Sequence, residues 1–421
     1  MRHTAHTAHT GKNLLVIGGI GFGDPGRQLL GRFLAQARAR DCRIHMTDQE
    51  MFVHTCPEEA KPHFTSLDVL DFTDPAACVA WALARVADGT RFDLVVTARD
   101  DAQPAAAAVA DALGLPYNSL RSIEVTRNKD LCRAVLAEAG LLQPQWRLCE
   151  GAEDAGEFTA ATTGPWVVKP RDGTGSRAVR LMKDAGGLAE AMRELTASDR
   201  PFVIEEFVDG AEYSAEGLFL HGQPKVVALT AKETTSAPAF VELGHVVPAP
   251  LGPRQAAEAR KAVERAVAAV GLTFGPFHAE FWLTSDGIVL GELHCRPGGD
   301  YITLLVERVH PGLEYFGAFF DALFDPDFSP DLTARGAAAV SFLTAAPGKV
   351  TEVTGWAAAS SGVDVVHAHL LLGPGDTVPE LRSSLDRCGA VVVAADTPAA
   401  ARSAAHGRAR SVGIVTTGPT R

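Results

Sequence analysis

Apolar positions in this chain fall into short runs bounded by glycine, proline and small polar residues. These runs alternate with segments whose apolar residues recur at three- and four-residue spacing, so strands and helices are predicted in turn. An apolar run from Asn13 to Gly18 enters a turn containing Gly18, Gly19, Gly21 and Gly23. A helix from about Pro25 to Ala39 and a strand from Arg43 to Thr47 follow. A buried strand over Phe92 to Thr97 and a helix from Asp101 to Leu113, stopped at Gly114, continue the order, which predicts a doubly wound α/β domain over residues 12–120. The glycine turn lacks the spacing of a dinucleotide fingerprint and reads as structural.

Residues 121–330 mix the two periods. Helices are predicted at Lys129 to Ala139, Glu153 to Ala160, Leu188 to Ala197 and Pro253 to Val270, and strands at Trp166 to Pro170, Val179 to Leu181, Phe202 to Glu206, Ser214 to Leu220 and Lys225 to Lys232. Glu233 to Pro248 reads as irregular because it is polar and carries proline. After helices at Tyr301 to His310 and Leu313 to Leu323, the stretch Asp325 to Asp331 with its prolines marks a boundary. Residues 331–421 then read as a small α+β cap, in which His367 and His369 are packing or surface residues. Residues 1–11 read as a disordered polar tail, whose His3, His6 and His9 need no role.

Between Phe277 and Asp300 two apolar runs flank Thr284, Ser285, Asp286 and Gly287, the pattern of a hairpin. A three-residue loop over Ser285 to Gly287 sets Thr284 against Ile288, Glu280 directly against Glu292 and His278 against His294. All four side chains then share one face. Opposed carboxylates repel unless a cation lies between them. Few ligands, all oxygen, suit Mg²⁺ completed by phosphate oxygens, with Mn²⁺ as the alternative; a solvated hairpin face with two harmless acids is the competing reading.

Composition narrows the class. The chain has 421 residues, 46% hydrophobic and 21% charged, as expected of a multidomain globular protein. Its formal net charge of −12, with no basic cluster, argues against a nucleic-acid partner. Seven scattered cysteines without a C-x-x-C pair suggest neither a disulfide framework nor a zinc site, and they fit a reducing cytoplasm. Cys295 reads as a filler between strands. No run is apolar for long enough to span a bilayer.

Two stretches have phosphate chemistry. Lys169 ends a strand and is followed by Arg171, Asp172, Gly173, Thr174, Gly175 and Ser176, a hydroxyl-bearing glycine turn able to aim backbone N–H groups at an anion; its spacing is not that of a P-loop. Further on, the strand Phe202 to Glu206 runs into Phe207, Val208, Asp209 and Gly210, where main-chain groups can pair with the edge of a flat base.

In order, Lys129, Lys169, the flap Asp172 to Ser176, the E-E-F-V of Glu205 to Val208, Glu212, and the E…E-x-H-x-R of Glu280, Glu292, His294 and Arg296 resemble the ATP-grasp superfamily. The resemblance covers roughly Asn13 to Val412. It implies an ATP-grasp fold between an N-terminal doubly wound α/β domain and a small C-terminal α+β cap. It also implies ATP phosphates on Lys129, Lys169 and the flap residues Gly173, Thr174, Gly175 and Ser176. Adenine would lie against backbone groups of Glu205 and Val208, with Glu206 and Phe207 completing the hinge, and Glu212 would hold the ribose. Lys232 stands where a lysine reaches the terminal phosphate. Glu280, Glu292 and His294 would hold two Mg²⁺ ions, although many members carry asparagine at the position of His294.

Phe240 to His245 and the ending Arg296-Pro297-Gly298-Gly299-Asp300 resemble the L-amino-acid ligases among the carboxylate–amine ligases. That branch implies a cytoplasmic homodimer joining a small-molecule carboxylate to an amine, two amino acids, through an acyl phosphate. Arg296, Lys232, Gly298 and Gly299 would serve the chemistry, and Glu216, His245, Arg296 and Gly299 the substrate. A ligase for another carboxylate, a carboxylase-like enzyme and a silent ATP-binding regulator are the alternatives.

Overall fold

A computed structural model describes residues 11–21, 23–172, 178–195, 199–236 and 240–418. The flap residues Gly173, Thr174, Gly175 and Ser176 and the tail histidines His3, His6 and His9 lie outside the described residues.

The first sheet is built from β1 (Asn13–Ile17), β2 (Arg43–Asp48), β3 (Ser66–Val69) and β4 (Leu94–Val96), in the order β3-β2-β1-β4. β1 pairs in parallel with both β2 and β4. Leu14, Leu15, Val16 and Ile17 are all buried, without alternation, because a parallel sheet is covered on both faces. The Gln103–Leu113 helix ends at Gly114 with φ +65°, the left-handed stop expected there.

A second, antiparallel sheet holds β5 (Trp146–Cys149), β6 (Trp166–Pro170), β7 (Arg180–Met182) and β8 (Phe202–Glu206) in the order β5-β8-β6-β7. The centre is formed by β9 (Ala211–Leu220), β10 (Gln223–Thr234), β11 (Glu242–Val247), β12 (Pro276–Thr284) and β13 (Gly287–His294). The last portion adds β14 (Ala337–Leu343), β15 (Gly348–Thr354), β16 (Val365–Leu370), β17 (Thr377–Val378), β18 (Gly389–Ala395) and β19 (Gly413–Thr417).

Two features differ from the sequence expectation. First, Glu233 to Pro248 is not irregular throughout: Glu233 and Thr234 end β10, and β11 lies inside the eight-stranded sheet β13-β12-β9-β10-β11-β14-β18-β16, with His245, Val246 and Val247 buried. Its polar residues Glu242 and His245 line a cavity, so its polarity does not mark a loop. Second, β14 hydrogen-bonds to β11, and the central sheet therefore continues through the expected boundary near residue 330 into the C-terminal portion. Ser66–Val69, Pro75–Ala87, Leu120–Arg127 and Gly413–Thr417 are further elements that the sequence reading does not include.

The N-terminal sheet is fixed to the rest by the Gly23–Arg38 helix. Phe33 meets Phe316 and Phe320 edge-on at 5.4 and 5.7 Å. Arg40 donates to Asp321 through Nε at 2.7 Å and Nη2 at 2.6 Å. On the loop after β4, Asp100 meets His294 at the end of β13 and Arg296 just beyond it.

Candidate functional site

The β12–β13 hairpin forms with a loop shorter than expected. Thr284 faces Gly287, not Ile288, so the loop is Ser285 and Asp286 alone. The register then shifts by one between Ala279 and Phe281, and His278 faces His294 after all. Glu280 is thus opposed at a bulge by Gly291 and Glu292 together, which replaces the direct Glu280–Glu292 pair. A side chain at position 291 would come within 2.9 Å of Trp282 and 3.0 Å of the Glu280 carbonyl, so the bulge needs its glycine.

Both carboxylates line a cavity of about 1060 Å³ together with Lys129, Lys169, Glu206, Phe207, Val208, Glu212, Lys232, His245, His294, Arg296 and Gly299. The chain's own cations neutralise them. Glu292 lies 3.5 Å from the Lys129 ammonium and 3.8 Å from that of Lys169. Glu280 accepts from Lys232 at 2.9 Å. Burial works against charge on Glu280 and Glu292, but Lys232 holds the first well below the usual carboxylate range, and Lys129 and Lys169 lower the second.

Lys232 is buried on β10 among Glu212, Glu280 and Glu242, and donates to the first two. Burial opposes its charge, yet these carboxylates raise its pKa well above the lysine value. Glu212 goes the other way: burial, with Glu280 and Glu242 nearby, raises it despite Lys232. The residues placed on ribose and terminal phosphate therefore start out bonded to each other.

Glu205 lines the cavity as expected and has a side-chain role besides. Its backbone sits inside the second sheet, facing Trp146 of β5 and Val167 of β6. Its buried side chain accepts from Lys169 at 2.7 Å and from Arg133 at 3.1 and 3.2 Å. Glu205 thus anchors Lys169 while also lining the cavity, and the wall offered to a flat base continues through Glu206, the last residue of β8, to Phe207 and Val208 beyond it. Phe207 stacks on Phe240 with centroids 6.0 Å apart.

Burial opposes charge on Glu205, but Arg133 and Lys169 hold its pKa down at about 2. A folded pKa below the unfolded value of about 4.3 stabilises the fold above that pH, and the contribution is lost as pH falls toward 2. Glu205→Gln is therefore expected to be less stable than wild type by about 3 kcal/mol at pH 6, with the gap narrowing below pH 4. Urea unfolding of both proteins at pH 6, 4 and 3 measures it; a constant gap would refute the pairing.

At the opposite end of the hairpin, Arg296 donates through Nε to Asp100 at 2.6 Å and through Nη1 to the Pro297 carbonyl at 3.0 Å. His294 Nδ1 lies 3.3 Å from the same Asp100 and its Nε2 3.7 Å from Glu292. Burial would raise the Asp100 pKa, but Arg296 and His294 push it far below the usual range. Asp100 was not singled out in the sequence. Its one signal is position, just past the carboxyl end of β4, where open parallel sheets bind ligands.

Glu216 is a second correction. It is fully buried on β9 and is absent from the cavity wall. It accepts from Ser214 Oγ at 2.7 Å and lies 2.9 Å from His278 Nδ1. Burial disfavours charge on His278, but Glu216 and Glu280 outweigh it and lift the imidazole to about 9. Gly298 passes directly over this pair: a Cβ there would lie 2.6 Å from Glu216 and 3.0 Å from His278. Gly299 meets nothing within 4 Å and lines the cavity.

His245 is buried on β11 opposite Lys232. Its Nε2 lies 3.4 Å from Asp300, and its Nδ1 has no hydrogen-bond partner among the described residues. Arg387, from the C-terminal portion, grips both Asp300 oxygens at 2.7 Å. Asp300 and Tyr301 both have positive φ, +51° and +64°, which that clamp helps to hold.

Among the described residues no group of three or more His, Cys, Asp or Glu side chains is arranged as a metal cage. Glu280 and Glu292 nonetheless fit a hard cation that takes its other ligands from phosphates and water, because they put oxygen donors on one cavity wall. His294 lies beside them, between Glu292 and Asp100. No helix among the described residues is long and apolar enough to cross a membrane.

Residues 162–304 match the ATP-grasp domain family, and residues 341–417 match L-amino acid ligase C-terminal domain 2. The chain is 34% identical over 228 residues to the uncharacterized protein y4rH of Sinorhizobium fredii, covering 52% of this chain and 47% of that one. It is 26% identical over 326 residues to carnosine synthase 1 of Homo sapiens, covering 72% of this chain and 38% of the relative. It thus spans less than half the length of either relative. The crystal structure of L-amino acid ligase from Bacillus licheniformis superposes with a TM-score of 0.80 at 22% identity, over 97% of this chain and 99% of that one. The fold is that of the ATP-grasp proteins.

Proposed function

We propose, from an ATP-grasp domain followed by an L-amino acid ligase C-terminal domain, that this protein is an ATP-dependent carboxylate–amine ligase joining two amino acids. The observation that carries the reading is the meeting, in one cavity, of three lysines, two hairpin carboxylates and an arginine fixed by Asp100. A purely nucleotide-binding protein has no use for the Arg296–Gly298–Gly299 end. The match to an L-amino acid ligase structure supports amino acids as the substrate class.

In this reading adenine lies against Glu206, Phe207 and Val208, the ribose near Glu212, and the phosphates near Lys129, Lys169 and Lys232. Glu280 and Glu292 would hold Mg²⁺, with His294 beside them, and the metal would offset charge on the phosphates. The lysines now paired with these carboxylates would then turn to phosphate oxygens. A substrate carboxylate oxygen attacks the terminal phosphorus, ADP leaves, and an acyl phosphate forms. The amine of the second substrate attacks the acyl carbon, phosphate leaves with the C–O bond electrons, and the amine loses a proton. Arg296, a planar fork held at a fixed angle by Asp100, would bind the carboxylate and stabilise the oxyanion. Gly299 leaves room for the substrate backbone, and Gly298 lets that turn pack over the Glu216–His278 pair.

The test is a screen of amino-acid pairs with ATP and Mg²⁺ for phosphate release, with product mass. ADP and phosphate are expected only when both partners are present, with a product equal to their summed masses less water. ATP binding without substrate-dependent hydrolysis across the set would favour a silent nucleotide-binding protein.

A further inference from the structure

Behind the Arg296 end of the site lies a second, smaller cavity of about 40 Å³. It shares Leu29, Ala98 and Pro297 with the main cavity and is floored by Phe33, Phe316 and Phe319. We propose that this pocket receives the side chain of one amino-acid substrate and restricts it to a short aliphatic group. The inference rests on the ligase reading above and adds to it which amino acids the site selects.

Three observations carry it. The first is position. Pro297 follows Arg296 directly, and Ala98 precedes Asp100 by two residues, so the mouth opens beside the ion pair expected to hold the substrate carboxylate. An amino acid held there by its main-chain groups has its side chain within reach of Leu29 and Ala98.

The second is chemistry. The floor is buried and aromatic, with Phe33 edge-on to Phe316 at 5.4 Å and Phe319 edge-on to Phe274 at 5.2 Å. A water molecule needs two to four polar partners to be held, and the one polar side chain on this wall is Thr97, whose Oγ1 already accepts from the Arg99 N–H at 3.1 Å, so a charged side chain would lose its hydration without replacement. Protein interiors are packed to crystal density, and an apolar void is destabilising unless something fills it. One that adjoins a reaction cavity has a natural occupant.

The third is size. An apolar cavity of about 150 Å³ is needed to hold a benzene ring. The space here admits a few methyl groups, and its aromatic floor is fixed by packing between the N-terminal helix and the Tyr315–Phe324 helix. Alanine and valine fit; phenylalanine and tryptophan do not.

The experiment compares kcat/KM for glycine, alanine, valine, leucine and phenylalanine, each offered in turn as carboxylate donor and as amine, using the full chain. Two variants change the mouth in opposite senses. Ala98→Leu fills it and is expected to lower the kcat/KM of valine relative to that of glycine, which has no side chain, by about ten- to a hundredfold. Leu29→Ala widens it and is expected to raise leucine and phenylalanine by about tenfold relative to alanine. Thermal unfolding of both variants checks that the fold persists.

Wild-type enzyme that prefers phenylalanine in both slots, or variants that alter all five amino acids equally, would overturn the pocket assignment and leave the ligase reading standing. Wild-type protein that forms no ADP with any pair would overturn both.

Discussion

Glutamine in place of Glu292 is expected to lower substrate-dependent phosphate release by about 10²- to 10³-fold or more, with the fold intact. Glu292 stands at a bulge whose other side is Glu280, and it faces Lys129 at 3.5 Å and Lys169 at 3.8 Å. Glutamine keeps the shape but removes the charge that a divalent cation requires, and a site with so few protein oxygens has none to replace it. The measurement is phosphate release with the best amino-acid pair across a Mg²⁺ titration, alongside thermal unfolding. Near-normal turnover in a folded variant would remove Glu292 from the site. A loss reversed by raising Mg²⁺ would instead confine its role to metal affinity.

What the sequence made legible was whatever repeats locally. The strand ending at Lys169, the hinge of Glu205 to Val208 and the order Glu280, Glu292, His294, Arg296 are neighbours along the chain, and the fold keeps them together around one cavity. The errors came where one residue changes a register or a direction. A two-residue loop shifts the β12–β13 ladder by one, and the bulge at Gly291 shifts it back, so His278 still meets His294 although the loop was misjudged. Glycine inside a strand run was the available hint. Glu205 was assigned by its backbone, while its buried side chain carries Lys169, because strand alternation does not say which face will find a cation. β11 was hidden by Glu242 and His245, polar on account of the cavity they line.

Partners far apart in sequence were out of reach altogether. Asp100 and Arg296 are 196 residues apart, and Asp300 and Arg387 are 87 apart. No periodicity joins such pairs; only the packing of the Gly23–Arg38 helix on the Tyr315–Phe324 helix, and the passage of the central sheet into β14, brings them into register. The Arg296 end of the cavity is therefore assembled by three parts of the chain, while the end proposed for the nucleotide comes mostly from one.

Arg296→Ala is expected to reduce ligation by about 10²- to 10⁴-fold while ATP affinity changes little. The two effects separate because the wall proposed for the base belongs to Glu206, Phe207 and Val208 on other elements, whereas Arg296 sits two residues past β13 with its Nε on Asp100 at 2.6 Å. Lysine should recover only a small part of the loss, since a point charge cannot span Asp100 and a substrate oxygen as a planar fork does. Asp100→Asn should cost less than the arginine truncation, because the guanidinium remains but loses the partner that orients it. Millimolar guanidinium added to Arg296→Ala should restore a fraction of turnover if the missing group acts on the reacting atoms. ATP affinity by calorimetry, beside ADP and phosphate formation, distinguishes the outcomes. Equal loss of nucleotide binding and turnover would place Arg296 on ATP. Retained binding, lost turnover and guanidinium rescue would place it on the acyl group.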